Sequence, residues 1–192
     1  KVDVSRPIDP AALFPAAREV WLEIGFGGGE HLAHMAEAHP EAGIIGCEPF
    51  VNGVAKLLGE VEERGLSNVR VYDGNAADVL ARLPAASLAR IYLLYPDPWP
   101  KRKQRKRRFV SDASLAALAR VLRPGGEFRF ASDIDEYCGW VLQRIARSPE
   151  FIWPAATADD WRTPYPEWPG TRYEAKALRE GRVPSYLTFI RR

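Results

Sequence analysis

Short apolar runs alternate with amphipathic stretches five times along the first three quarters of the chain. Residues 20–25 (VWLEIG) predict a buried strand ending in glycine, and 30–39 predict a helix with Leu32, Met35 and Ala36 on one face. A second strand is expected at 43–48 (GIIGCE), then a helix over 50–65 whose core face carries Val51, Val54, Leu57, Leu58 and Val61. Val69 and Val71 alternate in a third strand, 68–72, closed by the turn Asp73-Gly74-Asn75, and a short helix follows over 76–83. The fourth strand, 88–95 (LARIYLLY), stops at Pro96-Asp97-Pro98-Trp99-Pro100, because proline cannot donate to a ladder and restricts the residue before it. Ser111 or Asp112 caps a helix to Leu122, where Leu122-Arg123-Pro124-Gly125-Gly126 forces a stop before a fifth strand, 127–131, and a helix at 134–147. This alternation predicts an α/β fold: a doubly wound parallel sheet with helices on both faces.

Beyond Pro149 the pattern lapses. Residues 151–180 are rich in aromatics and proline (Trp153, Trp161, Pro164, Pro166, Trp168, Pro169) and read as an insertion for substrate recognition, ahead of a closing strand at 185–190. No repeat is visible, and 192 residues suit a single domain, 1–192, better than two. With 46% hydrophobic and 27% charged residues, disorder is excluded. No apolar run approaches the ~20 residues of a membrane helix. No secretory signal is visible from Lys1, and Cys47 and Cys138 stand in no CxxC pair, so reduced thiols and a cytoplasmic protein are expected.

Net charge is only +2, but its distribution is uneven. Lys101, Arg102, Lys103, Arg105, Lys106, Arg107 and Arg108 gather seven of the 27 basic residues, which leaves 20 against 25 acidic elsewhere. One dense cationic segment on a mildly acidic body points to a polyanionic partner, since phosphate neutralisation drives such binding.

In open parallel sheets, ligands bind beyond the carboxyl ends of the strands, near the point where strand order reverses. The residues there are Glu23 with the loop Gly25-Phe26-Gly27-Gly28-Gly29, then Glu48, Asn75, Asp97 and Asp133, so each of five strands ends in a hydrogen-bond acceptor. The loop reads GxGxG, with Glu30 where a dinucleotide fingerprint needs its third glycine; a pyrophosphate would meet a carboxylate there, which argues against NAD. Glu48 lies near the offset from Gly25 at which an acid holds ribose hydroxyls, so a nucleoside without phosphates fits, and S-adenosylmethionine is one. His31, His34 and His39 share the first helix and read as surface residues without a third metal ligand. They leave no base near Asp97 or Asp133, which disfavours hydrolysis.

EIGFGGGEH, YPDPWPKRKQRKRR, LRPGG with Ser132-Asp133 after the fifth strand, and TRYEAKALREG with a later LTF resemble, in order and over nearly the whole chain, the bacterial tRNA (guanine-N7)-methyltransferases. The proline-rich motif with its basic run is the most specific part. The resemblance implies a class I methyltransferase of Rossmann-like fold, with seven strands of which the last are antiparallel. It implies methyl transfer from S-adenosylmethionine to N7 of a guanosine in the tRNA variable loop. Position by position, it implies cofactor contacts from Glu23, Gly25, Gly27, Glu48, Asn75, Ala76 and Asp97, with Asp97 catalytic. It gives the target nucleotide to Lys101, Asp133, Thr171, Arg172, Tyr173 and Glu174, and the RNA backbone to Lys103, Arg105, Lys106, Arg107 and Arg108.

The partners implied are tRNA, no metal and no membrane, the chain being a monomer or homodimer. Lys103-Gln104 stands where the family usually has Arg-His, so charge is kept without the planar fork, and Asn75 stands where Asp is common. The family's basic N-terminal extension is expected to be missing, with weaker tRNA binding as the consequence. Two rivals stay open from the residues themselves: a methyltransferase for another RNA, a protein or a small molecule, which would not need seven clustered cations, and a non-catalytic RNA-binding module, which would leave the strand-end acceptors idle. Trp99 either stacks on a base or packs against the sheet.

Overall fold

Period-two alternation decides which side chains of each central strand meet which helical layer. A computed structural model describes all 192 residues. The chain runs α1 (Pro10–Leu13), β1 (Glu19–Ile24), α2 (Glu30–Ala38), β2 (Ala42–Cys47), α3 (Val51–Glu63), β3 (Val69–Tyr72), α4 (Ala76–Arg82) and β4 (Leu88–Leu94). A 3₁₀ segment (Arg102–Arg107), α5 (Asp112–Val121), β5 (Leu122–Ser132), α6 (Asp135–Arg147), β6 (Phe151–Ile152), α7 (Asp159–Arg162), α8 (Arg172–Arg179) and β7 (Ser185–Arg191) complete it. The seven strands form one sheet in the order β3-β2-β1-β4-β5-β7-β6, with β1 to β5 parallel and β7 antiparallel to both its neighbours. The expected doubly wound, mostly parallel architecture is the one found. Strand order reverses at β1, and Ile24 sits level with Cys47 of β2 and Leu93 of β4.

One face of the sheet buries Val20, Leu22 and Ile24 against the layer that contains Leu80 of α4, Leu118 of α5 and Val141 of α6. The other buries Trp21 with Leu32 of α2 and Leu57 of α3. Over β5 and β7 this second layer is an aromatic loop: the buried Tyr165 hydroxyl donates to the Phe130 carbonyl at 2.8 Å or the Leu187 carbonyl at 3.0 Å. That loop belongs to the stretch expected as an insertion, whose first two residues are β6. No helix is long and apolar enough to cross a membrane. Cys47 and Cys138 are free and buried, and burial pushes their thiols up to about 12 and about 11.

Two expectations are corrected. Of the supposed core face of α3 only Leu57 is fully buried, while Val51 is 75% and Leu58 50% exposed, because α3 packs near the sheet edge and turns a single row inward. The fifth strand starts at Leu122, not 127: pairing passes from Leu88–Leu122 to Arg90–Glu127, so Arg123 to Gly126 bulge out of the ladder instead of ending it, with Gly125 at φ +76°.

Ser111 caps α5 through a reciprocal box, its hydroxyl accepting from the Ser114 N–H at 3.1 Å while Ser114 Oγ accepts from the Ser111 N–H at 2.8 Å. Ser111→Ala should cost about 1 kcal/mol. Urea unfolding should show this as a lower midpoint at unchanged slope.

Candidate active site

The glycine loop follows β1, and Gly25, Gly27 and Gly29 take φ of +68°, +58° and +83°, conformations open to glycine at little cost. Its path is fixed by β2 and the residues after it. The Gly25 N–H donates to the Cys47 carbonyl at 2.8 Å, and the buried carboxylate of Glu48 accepts from the Gly27 N–H at 2.8 Å and the Phe50 N–H at 3.0 Å. Gly53 of α3 completes the arrangement, since a Cβ there would collide with the Gly27 carbonyl and crowd Glu48. Sequence reasoning missed Gly53. Its signal was a glycine inside a helix, which costs about 1 kcal/mol against alanine and so asks for a packing reason.

A cavity of about 810 Å³ opens above the level ends of β1, β2 and β4, floored by Ile24, Cys47 and Leu93. Gly25, Gly27, Glu48, Asn75, Ala76 and Asp97 all line it. Asn75 also caps α4, its Oδ1 accepting from the Ala77 N–H at 3.0 Å. Asp97 is exposed, between Tyr95 and Trp99, which hold left-handed backbone at φ +50° and +42°. Asn52, Lys56 and Phe50 also face the cavity and were not anticipated.

Glu23 is the exception among the expected cofactor residues. It faces the opposite side of the sheet from Ile24, and its carboxylate contacts His31 Nδ1 at 2.7 Å, both side chains buried. His31 is therefore not a surface residue. The first turn of α2 lies on the sheet, with the His31 ring 4.7 Å from Tyr92 and 5.1 Å from Trp168.

Of the residues expected at a target nucleotide, Arg172 and Tyr173 reach the cavity. Tyr173 presses on the glycine loop, its ring 3.3 Å from where a Cβ of Gly27 would stand. Thr171 caps α8, accepting from the Glu174 N–H at 3.1 Å. Glu174 is buried, taking hydrogen bonds from the Trp168 indole at 2.8 Å and from the Tyr186 hydroxyl, whose pKa is raised by burial and by that carboxylate. Asp133 is paired with Arg182 at 2.5 Å, and Lys101 is exposed outside the cavity wall.

The basic run forms the 3₁₀ segment. Lys101, Arg102, Lys103, Lys106 and Arg107 are exposed and have no carboxylate partner; Arg107 also lies over the Trp99 ring at 4.8 Å, and both line the cavity. Trp99 thus stands at the cavity rim, not against the sheet. Arg105 is 3.2 Å from Glu136. Arg108 is corrected: its side chain is fully buried, donating to the Pro98 carbonyl at 2.8 Å and to Glu136, with the rings of Tyr137 and Trp140 at 4.7 and 4.9 Å, so it offers nothing to an RNA backbone. The reason is placement, because Arg108 follows the last turn of the segment, where the chain re-enters the core at Val110.

A family described as "Putative methyltransferase" matches residues 17–185. A tRNA (guanine-N(7)-)-methyltransferase of Agrobacterium fabrum is 62% identical over all of this chain and 84% of its own length. One of Azorhizobium caulinodans is 55% identical over 99% of this chain and 83% of its own length. Among solved structures, the 16S rRNA methyltransferase KamB superposes with a TM-score of 0.66 at 20% identity, covering 97% of this chain and 96% of that one.

The hydrogen bond from Arg108, then its charge, holds the Glu136 carboxyl below the usual carboxylate range. Since the folded value is lowered, the pair's stabilisation is whole above the ordinary carboxylate pKa and is lost as pH falls through the lowered value. The Tm gap between the native chain and Glu136→Gln should therefore be widest near neutral pH and close in acid. A gap that ignores pH would contradict the pairing.

Proposed function

The chain belongs to the tRNA (guanine-N(7)-)-methyltransferase family, and from that membership we propose that the cavity above β1, β2 and β4 is where a guanine of the tRNA variable loop meets S-adenosylmethionine. One observation carries this reading: the glycine loop, Glu48, Asn75 and Asp97 converge on a single cavity whose rim also holds Arg107 of the basic segment.

The residues present fit the cofactor. The cavity is of the size that small-molecule sites have, and the absence of a Cβ at Gly25, Gly27 and Gly53 lets backbone come close. Gly25, Gly27, Glu48, Asn75 and Ala76 would hold the adenosyl part, with Glu48 set at the ribose by its two backbone hydrogen bonds. When bound, S-adenosylmethionine supplies an electrophilic methyl group on a cationic sulfur.

Guanine N7 has a lone pair and no proton, so no general base is needed. What the chain contributes is alignment and acceptors for a purine that turns cationic as the bond forms. Asp97 is the exposed carboxylate on the cavity wall and takes that role. Arg172 and Tyr173 close the cavity from α8, while Thr171 and Glu174 hold α8 in place. Lys103, Lys106, Arg107 and their exposed neighbours meet phosphates, and N7 is presented once the nucleotide leaves its tertiary contacts. A tRNA substrate, together with the unpaired Cys47 and Cys138 of the chain, supports a cytoplasmic setting.

Two substitutions separate the halves of the site. Asp97→Ala should lower labelled methyl transfer to bulk tRNA by about 10²-fold or more, with cofactor affinity by calorimetry retained. Full turnover in that variant, or a product other than 7-methylguanosine on nucleoside analysis, would sink the assignment. Gly53→Ala should do the reverse, weakening cofactor binding roughly tenfold through displacement of the glycine loop.

A further inference from the structure

The loop that carries Asp97 cannot hold its own shape. Proline at 96, 98 and 100 leaves it two backbone N–H groups, from Asp97 and Trp99, and neither makes a hydrogen bond. Trp99 sits at φ +42°, a conformation that costs a non-glycine residue and persists only where surroundings enforce it. From Pro96 to Pro100 the backbone makes a single hydrogen bond, accepted by the Pro98 carbonyl from Arg108 Nε at 2.8 Å.

Arg108 is well built as the fixed end of that bond. Its guanidinium is fully enclosed between Tyr137 and Trp140 of α6, and its other nitrogens go to Glu136 of the same helix. The Trp140 indole donates to the Val110 carbonyl at 2.8 Å, tying α6 to the chain just past Arg108. Glu136 also takes Arg105 at 3.2 Å, so one carboxylate anchors both the catalytic loop and the middle of the basic segment.

We propose that Arg108 is a positioning residue for methyl transfer, acting as a strut from α6 to the Pro98 carbonyl that sets where Asp97 and Trp99 stand. The inference rests on the role given above to Asp97. It takes the last arginine out of the RNA interface and gives it work on the reaction step. A lysine at this place keeps the charge but cannot fork to two acceptors in different directions.

Arg108→Lys is the decisive variant, because a phosphate contact would survive it and a strut would not. It should lower kcat about 10- to 100-fold, with the KM for tRNA, its salt dependence and cofactor affinity unchanged. Glu136→Gln leaves Arg108 in place and removes an acid beside the RNA face. General electrostatics would let it bind tRNA better at full kcat, whereas loss of the anchor lowers kcat several-fold. If Arg108→Lys fails to fold, Glu136→Gln decides alone. Full kcat in a folded Arg108→Lys, or a higher KM with a salt slope reduced by about one, overturns the strut. Asp97→Ala measured beside them separates the two claims. If it stays active while Arg108→Lys is impaired, the role of Asp97 falls and the anchored loop stands; if it is dead while Arg108→Lys keeps full kcat, only the strut falls.

Discussion

A buried carboxylate at the end of β2 must find donors, and the way Glu48 finds them organises the molecule's working end. Its two oxygens take the Gly27 and Phe50 N–H groups, so the glycine loop and the start of α3 are referred to one point. That is workable only because Gly53 lets the helix come against the Gly27 carbonyl, and because β1 and β2 end level at Ile24 and Cys47. An acid left unpaired there would carry a desolvation cost of several kcal/mol. Once the fold buries this carboxylate, its hydrogen bonds tie the glycine loop to the start of α3.

The parts legible in the sequence were those with a strong period or strong punctuation. Val69 and Val71, the GIIGCE run and the Pro96–Pro100 stop marked strands and their ends, and the strand-end rule then located Glu48, Asn75 and Asp97 on one cavity. Two site residues were misread because only the fold brings their partners to them. Nothing near His31 announces Glu23 as its contact, and Arg108 is a member of a cationic run until Glu136, 28 positions on, claims it. The face of α3 was misjudged because helical spacing shows which residues share a row but not how wide the covering layer is. The stretch 151–180 had no period, since its contact with the sheet is made by single aromatic anchors such as Tyr165 and Trp168.

Those anchors explain how an irregular segment can serve a defined site. Tyr165 takes the place of a helix on the second face of the sheet, and Trp168 and Tyr186 converge on the buried Glu174. Glu174 stands in the first turn of α8, where a carboxylate also suits the helix dipole. With α8 fixed in this way, Arg172 and Tyr173 are set over the glycine loop. Precision at the cavity thus comes from polar bonds made on the far side of a short helix.

The basic segment shows the same division of labour on a smaller scale. If all seven cations faced solvent, their mutual repulsion would favour an extended and mobile arm, well suited to holding RNA and poorly suited to placing a catalytic loop. Turning Arg108 inward and pairing Arg105 with Glu136 ties the segment to α6 at its middle and end, while Lys101, Arg102, Lys103, Lys106 and Arg107 stay exposed without a carboxylate partner. Arg107 then joins the two halves, because it contacts Trp99 from the basic side and lines the cavity at the same time. On the proposed reading, a polyanion gripped by the segment would be held at a fixed distance from Asp97, and that fixed distance would turn affinity for tRNA into reaction at one atom.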